Sequence, residues 1–534
     1  FALALSGYFF SLIGAGHIFI FDMMPWVMLL MTGIEKALRT GSLFYLALSC
    51  ACVGEGLSAG VTDQMLIFVT LILAHAVFRL FRLTGKENRP LAYIGRRAAG
   101  SVLGILFLGL TASQTLYWLS DGVMDSRQDL RAQAPADRET YATSWSFPPA
   151  ELIETIAPGY FGTYTRSQTT PYWGAIGRLP GWEEAVQNTL DTLRTDQTAE
   201  VQNGARQQWY ALMQTRNYRE HTVYLGVIPI VFACFAAGAA FRRKAVESLP
   251  DVFDRREIFF WLIALLLSVL LAFGRYFPLH NIYLQLPLFN QMRAPIKFLH
   301  LAELSLCLLF AFGFSAFLQH LKTTPRPTPS NRLIHVFGIG IMIVAAWMLI
   351  SSATMIWNPA RWLPQWEMMG LGGQQNELSR NMAGAVAQGA LAFFVCGLCF
   401  FRARAPSGGP RLIAGLSLLL LVTLALDLGL ASRRFVITRD LSATRMQNPV
   451  SDIIRQHREK GRTAVVDPSF DRGHWLYGNL VYHGVDLFDP HERERPDADY
   501  ELFTKSFGEN SVSAWNWAGV RYLIGPTELL AGFV

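Results

Sequence analysis

Residues Leu412 to Ala431 read Leu-Ile-Ala-Gly-Leu-Ser-Leu-Leu-Leu-Leu-Val-Thr-Leu-Ala-Leu-Asp-Leu-Gly-Leu-Ala, twenty positions with one charge, Asp427. A run of that length and apolarity predicts a helix across a bilayer, because only a helix satisfies its own backbone polar groups in hydrocarbon. Nine further stretches qualify: Ile18 to Leu38, Ser42 to Leu57, Gln64 to Phe81, Arg97 to Leu119, Thr222 to Phe241, Glu257 to Gly274, Ile296 to Leu318, Leu333 to Ile356 and Met382 to Phe401. Phe1 to Gly14 reads as the end of an eleventh. The expected fold is therefore a mainly α, polytopic transmembrane helical bundle of about ten to eleven helices. Composition agrees: of 534 residues 51% are hydrophobic and only 16% charged.

The net charge of +6 does not point to nucleic acid, because the basic residues sit in short loops between the apolar runs. Alternate loops carry nineteen Lys and Arg, from Lys36 and Arg39 to Arg402, Arg404 and Arg411. The opposite short loops hold five: Arg275, Arg293, Lys297, Arg361 and Arg380. Since positive loops stay inside, the first set is expected in the cytoplasm. Residues 120–221 and 432–534 then face outwards, in a bacterial inner membrane a large helical and irregular periplasmic loop and a small C-terminal α/β domain. The expected organisation is 1–119 and 222–431 as two sets of transmembrane helices, with 120–221 and 432–534 as periplasmic parts.

Within 120–221, nine Arg stand against thirteen Asp plus Glu, and Trp182, Val186, Leu190 and Leu193 follow Pro180-Gly181 at the spacing of an amphipathic helix. In 432–534, Pro449 opens a helix through Ile453, Ile454 and His457, capped by Asn448, and Thr463 to Val466 and Val520 to Ile524 have strand composition. All six cysteines lie in apolar stretches, so none can staple the soluble parts, and Cys396-Gly-Leu-Cys399 reads as helix packing. The chain opens at Phe1 in an apolar run with no basic leader or cleavage site, so upstream sequence is expected. No internal repeat is visible, and the Pro- and Thr-rich stretch Thr323 to Ser330 reads as a connector.

Chemistry concentrates in Leu286-Pro-Leu-Phe-Asn-Gln-Met-Arg-Ala-Pro-Ile-Lys-Phe298. Pro295 suits the first turn of the next helix, whose free N–H groups and dipole would face the surface beside Arg293 and Lys297, with His300 a turn deeper. That constellation favours an anion; the same cations also suit lipid headgroups. Pro158-Gly-Tyr-Phe-Gly162 and Pro171-Tyr-Trp-Gly174 put Tyr160, Phe161, Tyr172 and Trp173 on turns, where rings either stack on sugars or form an interfacial belt. Acidic candidates are Asp22, which also reads as an N-cap, and Glu55 and Asp63 around a hairpin, where both can simply be solvated. Glu303 is expected to pair with Lys297 or His300. Asp467, Asp471 and His474, and Asp486, Asp489 and His491, lack zinc spacing, so no metal site is expected. No Walker loop, dinucleotide fingerprint, HExxH or nucleophile elbow occurs.

Several ordered pieces resemble the YfhO-like bacterial membrane proteins, a group related to the C-type glycosyltransferases: Ser6 to His17 with its Gly16-His17 pair, Pro158 to Gly162, Tyr172-Trp-Gly174, Tyr224-Leu-Gly226 leading to Pro229, Pro287 to Phe298, and Gly519-Val-Arg-Tyr-Leu523. The resemblance spans nearly the whole chain, and Arg293-x-Pro295-x-Lys297-Phe298 is its most specific piece. It implies an enzyme that transfers a sugar from a polyprenyl-phosphate donor outside the cytoplasmic membrane. No other cofactor is implied. The donor phosphate would fall to Arg293, Lys297 and His300, and His17, Tyr160, Phe161, Tyr172 and Trp173 would line the substrate site. Members usually carry a catalytic acid in the first outward loop, which this chain begins after, so that role transfers to no numbered residue. The segment from Trp173 to Tyr218 is also longer than the family pattern. Expected partners are membrane lipids and lipid-linked sugar. The alternatives are a non-catalytic scaffold that binds other proteins through its exposed parts, and a lipid or sugar transporter.

Overall fold

The computed structural model describes residues 18–59, 62–87, 142–162, 171–178, 181–195, 199–214, 223–241, 255–285, 294–323, 329–403, 409–436, 449–456, 461–465, 479–488, 511–525 and 527–530, with a few isolated positions besides. It forms two compact units, one of residues 1–115 and 134–436, the other of 116–133 and 437–534. Residues 134–221 thus belong to the helical body, where the sequence reading sets 120–221 apart.

In the first unit, helices α1 (Ile18–Thr40), α2 (Leu43–Ser58) and α3 (Thr62–Glu87) precede a 3₁₀ helix at Pro149–Thr155. Then come α4 (Trp182–Arg194), α5 (Ala199–Gln214), α6 (Val227–Phe241), α7 (Arg255–Ala272) and the short α8 (Leu279–Tyr283). A 3₁₀ turn, Pro295–Phe298, leads into α9 (Leu299–Thr323), followed by α10 (Pro329–Trp357), α11 (Leu363–Met368), α12 (Gln375–Arg402) and α13 (Pro410–Arg433). Nine of the ten expected spans are described, each as a helix; Arg97 to Leu119 lies outside the described residues.

Among the described residues, five helices are long and apolar enough to cross a membrane, at Asp63–Phe81, Pro295–Lys322, Ile334–Trp357, Gly372–Arg402 and Pro410–Arg433. This is the character of a membrane protein. The other apolar helices are shorter, like α2 and α6, or begin with charged residues, as α7 does at Arg255-Arg256-Glu257. Along α10, Val336, Ile343, Trp347, Ile350 and Trp357 stay exposed, the surface a lipid-facing helix presents.

Asp22 is not an N-cap. It is an exposed residue inside α1, which starts at Ile18 and runs on through Pro25. Proline is tolerated there as in other apolar helices whose neighbours satisfy the freed backbone.

Close approach and buried polar pairs set the packing. A side chain at Gly313 in α9 would meet the Phe232 carbonyl of α6 at 1.9 Å, so glycine permits this crossing. Arg79 of α3 donates to Glu35 of α1 at 2.6 Å and to Glu257 of α7 at 2.8 Å, and His75 Nε2 lies 2.9 Å from Glu257. The Tyr224 hydroxyl donates to Asp427 at 2.6 Å, and Gln388 of α12 donates to the same carboxylate at 3.0 Å. Cys396 and Cys399 are both buried in α12 and pack with Phe400.

The second unit holds α14 (Pro449–Gln456), β1 (Arg462–Val465), β2 (Leu487–Phe488), α15 (Ser511–Trp517), β3 (Val520–Ile524) and α16 (Thr527–Leu530). The strands form a parallel sheet in the order β2-β1-β3, with Thr463 opposite Leu487 and Ala464 opposite Leu523. Ile454, Val465, Leu480 and Val485 form one small core, and Ala464, Phe488 and Val520 form another with Trp515 and Ala518 packed on it. Alternate residues of β1 thus enter different cores, as a parallel sheet covered on both faces requires.

Candidate functional site

The junction before α9 is built on strained backbone. Among the described residues only Trp145 (φ 63°) and Ala294 (φ 64°) have positive φ without being glycine, and they meet: Ile296 N–H donates to the Trp145 carbonyl at 3.2 Å. Each such residue costs about 1–3 kcal/mol and persists where the surroundings over-determine it. Phe147 N–H donates to the Ala272 carbonyl at 2.9 Å, and Arg275 N–H to Ser146 Oγ at 3.0 Å. Gly274, at φ 51°, leaves no room for a Cβ, which would meet Ser146 Oγ at 2.2 Å and Pro295 Cγ at 2.6 Å.

Pro295 opens the turn as its position predicts, but the N–H groups expected to face an anion are occupied. Proline has none, Ile296 donates to Trp145, and Lys297 donates to the Ala294 carbonyl at 3.1 Å. The Lys297 ammonium instead projects to Asp63 in the first turn of α3, and the two form an ion pair with side-chain exposures of 21% and 32%. Asp63, read from sequence as solvated, is thereby the acidic candidate brought to the cationic one. Its other oxygen accepts Gln64 N–H at 2.9 Å.

Around the pair stand Tyr283, edge-on to Phe298 with centroids 4.8 Å apart, and His280, 5.9 Å from Tyr283. Burial drives the Tyr283 phenol well above its ordinary range, and the Asp63 charge adds to that. His280 is buried, neither ring nitrogen has a hydrogen-bond partner among the described residues, and burial lowers its pKa to about 4, so the ring is neutral at physiological pH.

The remaining expectations resolve differently. His300 is 2% exposed and packs between Phe9 and Phe68, so it stands in the core rather than at the surface beside Lys297. Glu303 pairs with neither Lys297 nor His300; its carboxyl is buried, and neither oxygen has a hydrogen-bond partner among the described residues. Lys297 is drawn the other way, to α3. Glu55 is exposed at the end of α2, and Asp22 is exposed on α1. Arg293 and His17 lie outside the described residues, as do Asp467, Asp471, His474, Asp489 and His491.

The loop rings are buried too. Tyr160, Phe161, Tyr172 and Trp173 are between 0% and 8% exposed. Trp173 packs on Phe161 at 4.5 Å and edge-on to Trp366 at 6.0 Å, and its N–H donates to the Phe161 carbonyl at 2.8 Å. Two carboxylates that the sequence reading passed over draw these turns inwards. Glu151 accepts the Tyr172 hydroxyl at 2.8 Å and Ala175 N–H at 2.6 Å, while Glu154 accepts Phe161 N–H at 3.1 Å. Burial pushes Glu151 up to about 7; burial and the neighbouring Glu151 push Glu154 well above the carboxylate range. The available signal was Pro148-Pro149-Ala-Glu-Leu-Ile-Glu154, since a 3₁₀ turn eclipses positions three apart. From outside, the Asn381 amide donates to the Gly159 carbonyl at 2.7 Å and Arg434 donates to that of Pro158.

The site is thus a half-open carboxylate–ammonium pair on a strained helix start, backed by neutral aromatic and imidazole rings. No family model, curated protein or solved structure matches the chain.

Proposed function

We propose that the chain is a membrane glycosyltransferase of the C type, which moves a sugar from a polyprenyl-phosphate carrier to an acceptor outside the cytoplasm. The observation that carries this reading is the Asp63–Lys297 pair beside the strained start of α9, with both side chains still reachable from solvent. The charge asymmetry of the short loops supports the reading in which that end of the helices, and the two larger segments, face outwards.

The pair suits the reaction because it can exchange partners. The donor's phosphodiester carries one negative charge, as Asp63 does, and gains a second as the bond to the sugar breaks, so it competes for the ammonium most strongly in the transition state, with Arg293 four positions upstream in sequence as a further fork of donors. Asp63, released, takes the proton of the acceptor hydroxyl. The hydroxyl oxygen attacks the anomeric carbon as the bond from that carbon to the phosphate oxygen breaks. Polyprenyl phosphate leaves with the bonding pair, its charge held by Lys297. The rings of the two aromatic turns are buried in the core, so they do not stack on the sugar.

The test is sugar transfer by protein reconstituted with polyprenyl-phosphate sugars. General base catalysis contributes roughly 10²–10⁴-fold, so Asp63→Asn should lower turnover by at least about a hundredfold while donor lipid is still retained. Transfer at the parent rate by Asp63→Asn would overturn the assignment of the base. A parent protein that neither transfers sugar nor retains any lipid-linked sugar would favour the scaffold reading.

A further inference from the structure

A second site of different chemistry lies where α10 ends, and it shares no residue with the Asp63–Lys297 pair. A cavity of about 270 Å³ opens between the 3₁₀ helix Pro149–Thr155 and the last turns of α10. Its inner wall is apolar, made by Ile153, Ile156, Met348, Met355 and Val386. Its rim is polar, made by Ser351, Thr354, Asn358 and Arg361, and no acidic side chain lines it.

The two rim groups past the end of α10 have no hydrogen-bond or ion-pair partner among the described residues. The Arg361 guanidinium lies over the Trp362 ring at 5.6 Å and makes no ion pair or hydrogen bond among the described residues. The Asn358 side-chain amide makes none either, although its backbone N–H donates to Thr354. The hydroxyls of Ser351 and Thr354 donate to helix carbonyls at 2.9 and 2.8 Å, which leaves their lone pairs facing the rim.

The position decides what the cavity meets. Trp347, Ile350 and Trp357 are exposed on the same turns, so this side of α10 suits lipid tails, while the polar rim with Arg361 just past the helix end suits the level of headgroups. Guanidinium matches phosphate in charge and shape, and a tryptophan beside it suits the boundary between headgroup and tail.

We propose that this cavity binds one anionic phospholipid, its phosphate on Arg361 and Asn358 and the head of an acyl chain in the slot against the 3₁₀ helix. Bound there, the lipid bridges α10 to the segment that carries Glu151 and Glu154. The chain anchors the ligand and the charge selects it, so neither free phosphate nor a zwitterionic lipid replaces it. This inference does not depend on the glycosyl-transfer reading.

The experiment is native mass spectrometry of the full chain released from nanodiscs of mixed phosphatidylglycerol and phosphatidylcholine, with melting in detergent as the check on folding. The parent should retain one phosphatidylglycerol in preference to phosphatidylcholine. Arg361→Ala should lower that preference about tenfold, as loss of a charge-assisted contact does, and Arg361→Lys should recover part of it. Thr354→Trp, which fills the mouth from an exposed position, should expel the lipid with Arg361 intact. Equal retention of the two lipids by the parent, or an unchanged preference in Arg361→Ala, would overturn the proposal. Displacement of the lipid by millimolar inorganic phosphate would overturn it in favour of a plain anion site.

Discussion

Replacing Lys297 by methionine keeps most of the apolar stem and removes the charge, and two effects of very different size should follow. The first is on folding. The pair with Asp63 is partly open to water, so it contributes about 0–1 kcal/mol, and Asp63 can be rehydrated where it stands. The second is on donor binding, if the ammonium takes the phosphate. A charge-assisted hydrogen bond to phosphate contributes about 1.5–3 kcal/mol, which is about ten- to a hundredfold in affinity. Lys297→Met should therefore melt within a few degrees of the parent and bind polyprenyl-phosphate sugar at least about tenfold more weakly. The assays are thermal unfolding in detergent and donor-lipid titration in nanodiscs. A large loss of stability with unchanged donor affinity would refute the reasoning, because the pair would then be a staple between α3 and α9.

Two further outcomes follow from the packing. Glu151 titrates near 7 in the folded chain against an ordinary 4.5, so the folded state holds its proton more tightly. Its stabilising contribution is complete below about pH 4.5 and is lost as pH rises through about 7, with Glu154 acting in the same direction. The melting temperature should fall between pH 5 and 8, and Glu151→Gln should flatten that fall; an equal slope in the variant would remove Glu151 as its source. Gly313→Ala puts a Cβ where the Phe232 carbonyl lies at 1.9 Å, so α6 and α9 must separate. Overpacking of this kind costs about 1–3 kcal/mol, and a variant that melts with the parent would show that the crossing relaxes freely.

The helices were legible because length and apolarity decide them locally, and Pro295 marked its turn correctly for the same reason. The strands β1 and β3 fell within a residue of their expected bounds, since β-branched runs after Gly461 and Gly519 are also local signals. Asp22 went wrong because Pro25 imitates a helix start. The apolar residues from Ile18 onwards let α1 begin earlier. The loop rings went wrong for a different reason. Gly, Pro and aromatic residues in turns say that the chain bends, but not which side of the bend is covered. What covers these is Glu151 and Glu154, which in an acidic segment read as ordinary solvated charge.

Pairing across the chain is what local reading cannot supply, and α3 shows why it matters. Asp63 and Lys297 are 234 positions apart, and Arg79 and Glu257 are 178 apart. Each of the four is unremarkable alone, a charge near the end of an apolar run. Together they tie α3 at both rims: Asp63 to the start of α9 at one, and Arg79 to α1 and α7 at the other. The sixteen helical steps from Asp63 to Arg79 span roughly 24 Å, near the thickness of the apolar layer of a bilayer. The charges therefore fix both the depth and the rotation of α3, which the uniform apolar run between them cannot do. Depth and rotation in turn hold Asp63 within reach of Lys297 while about a third of its side chain stays exposed.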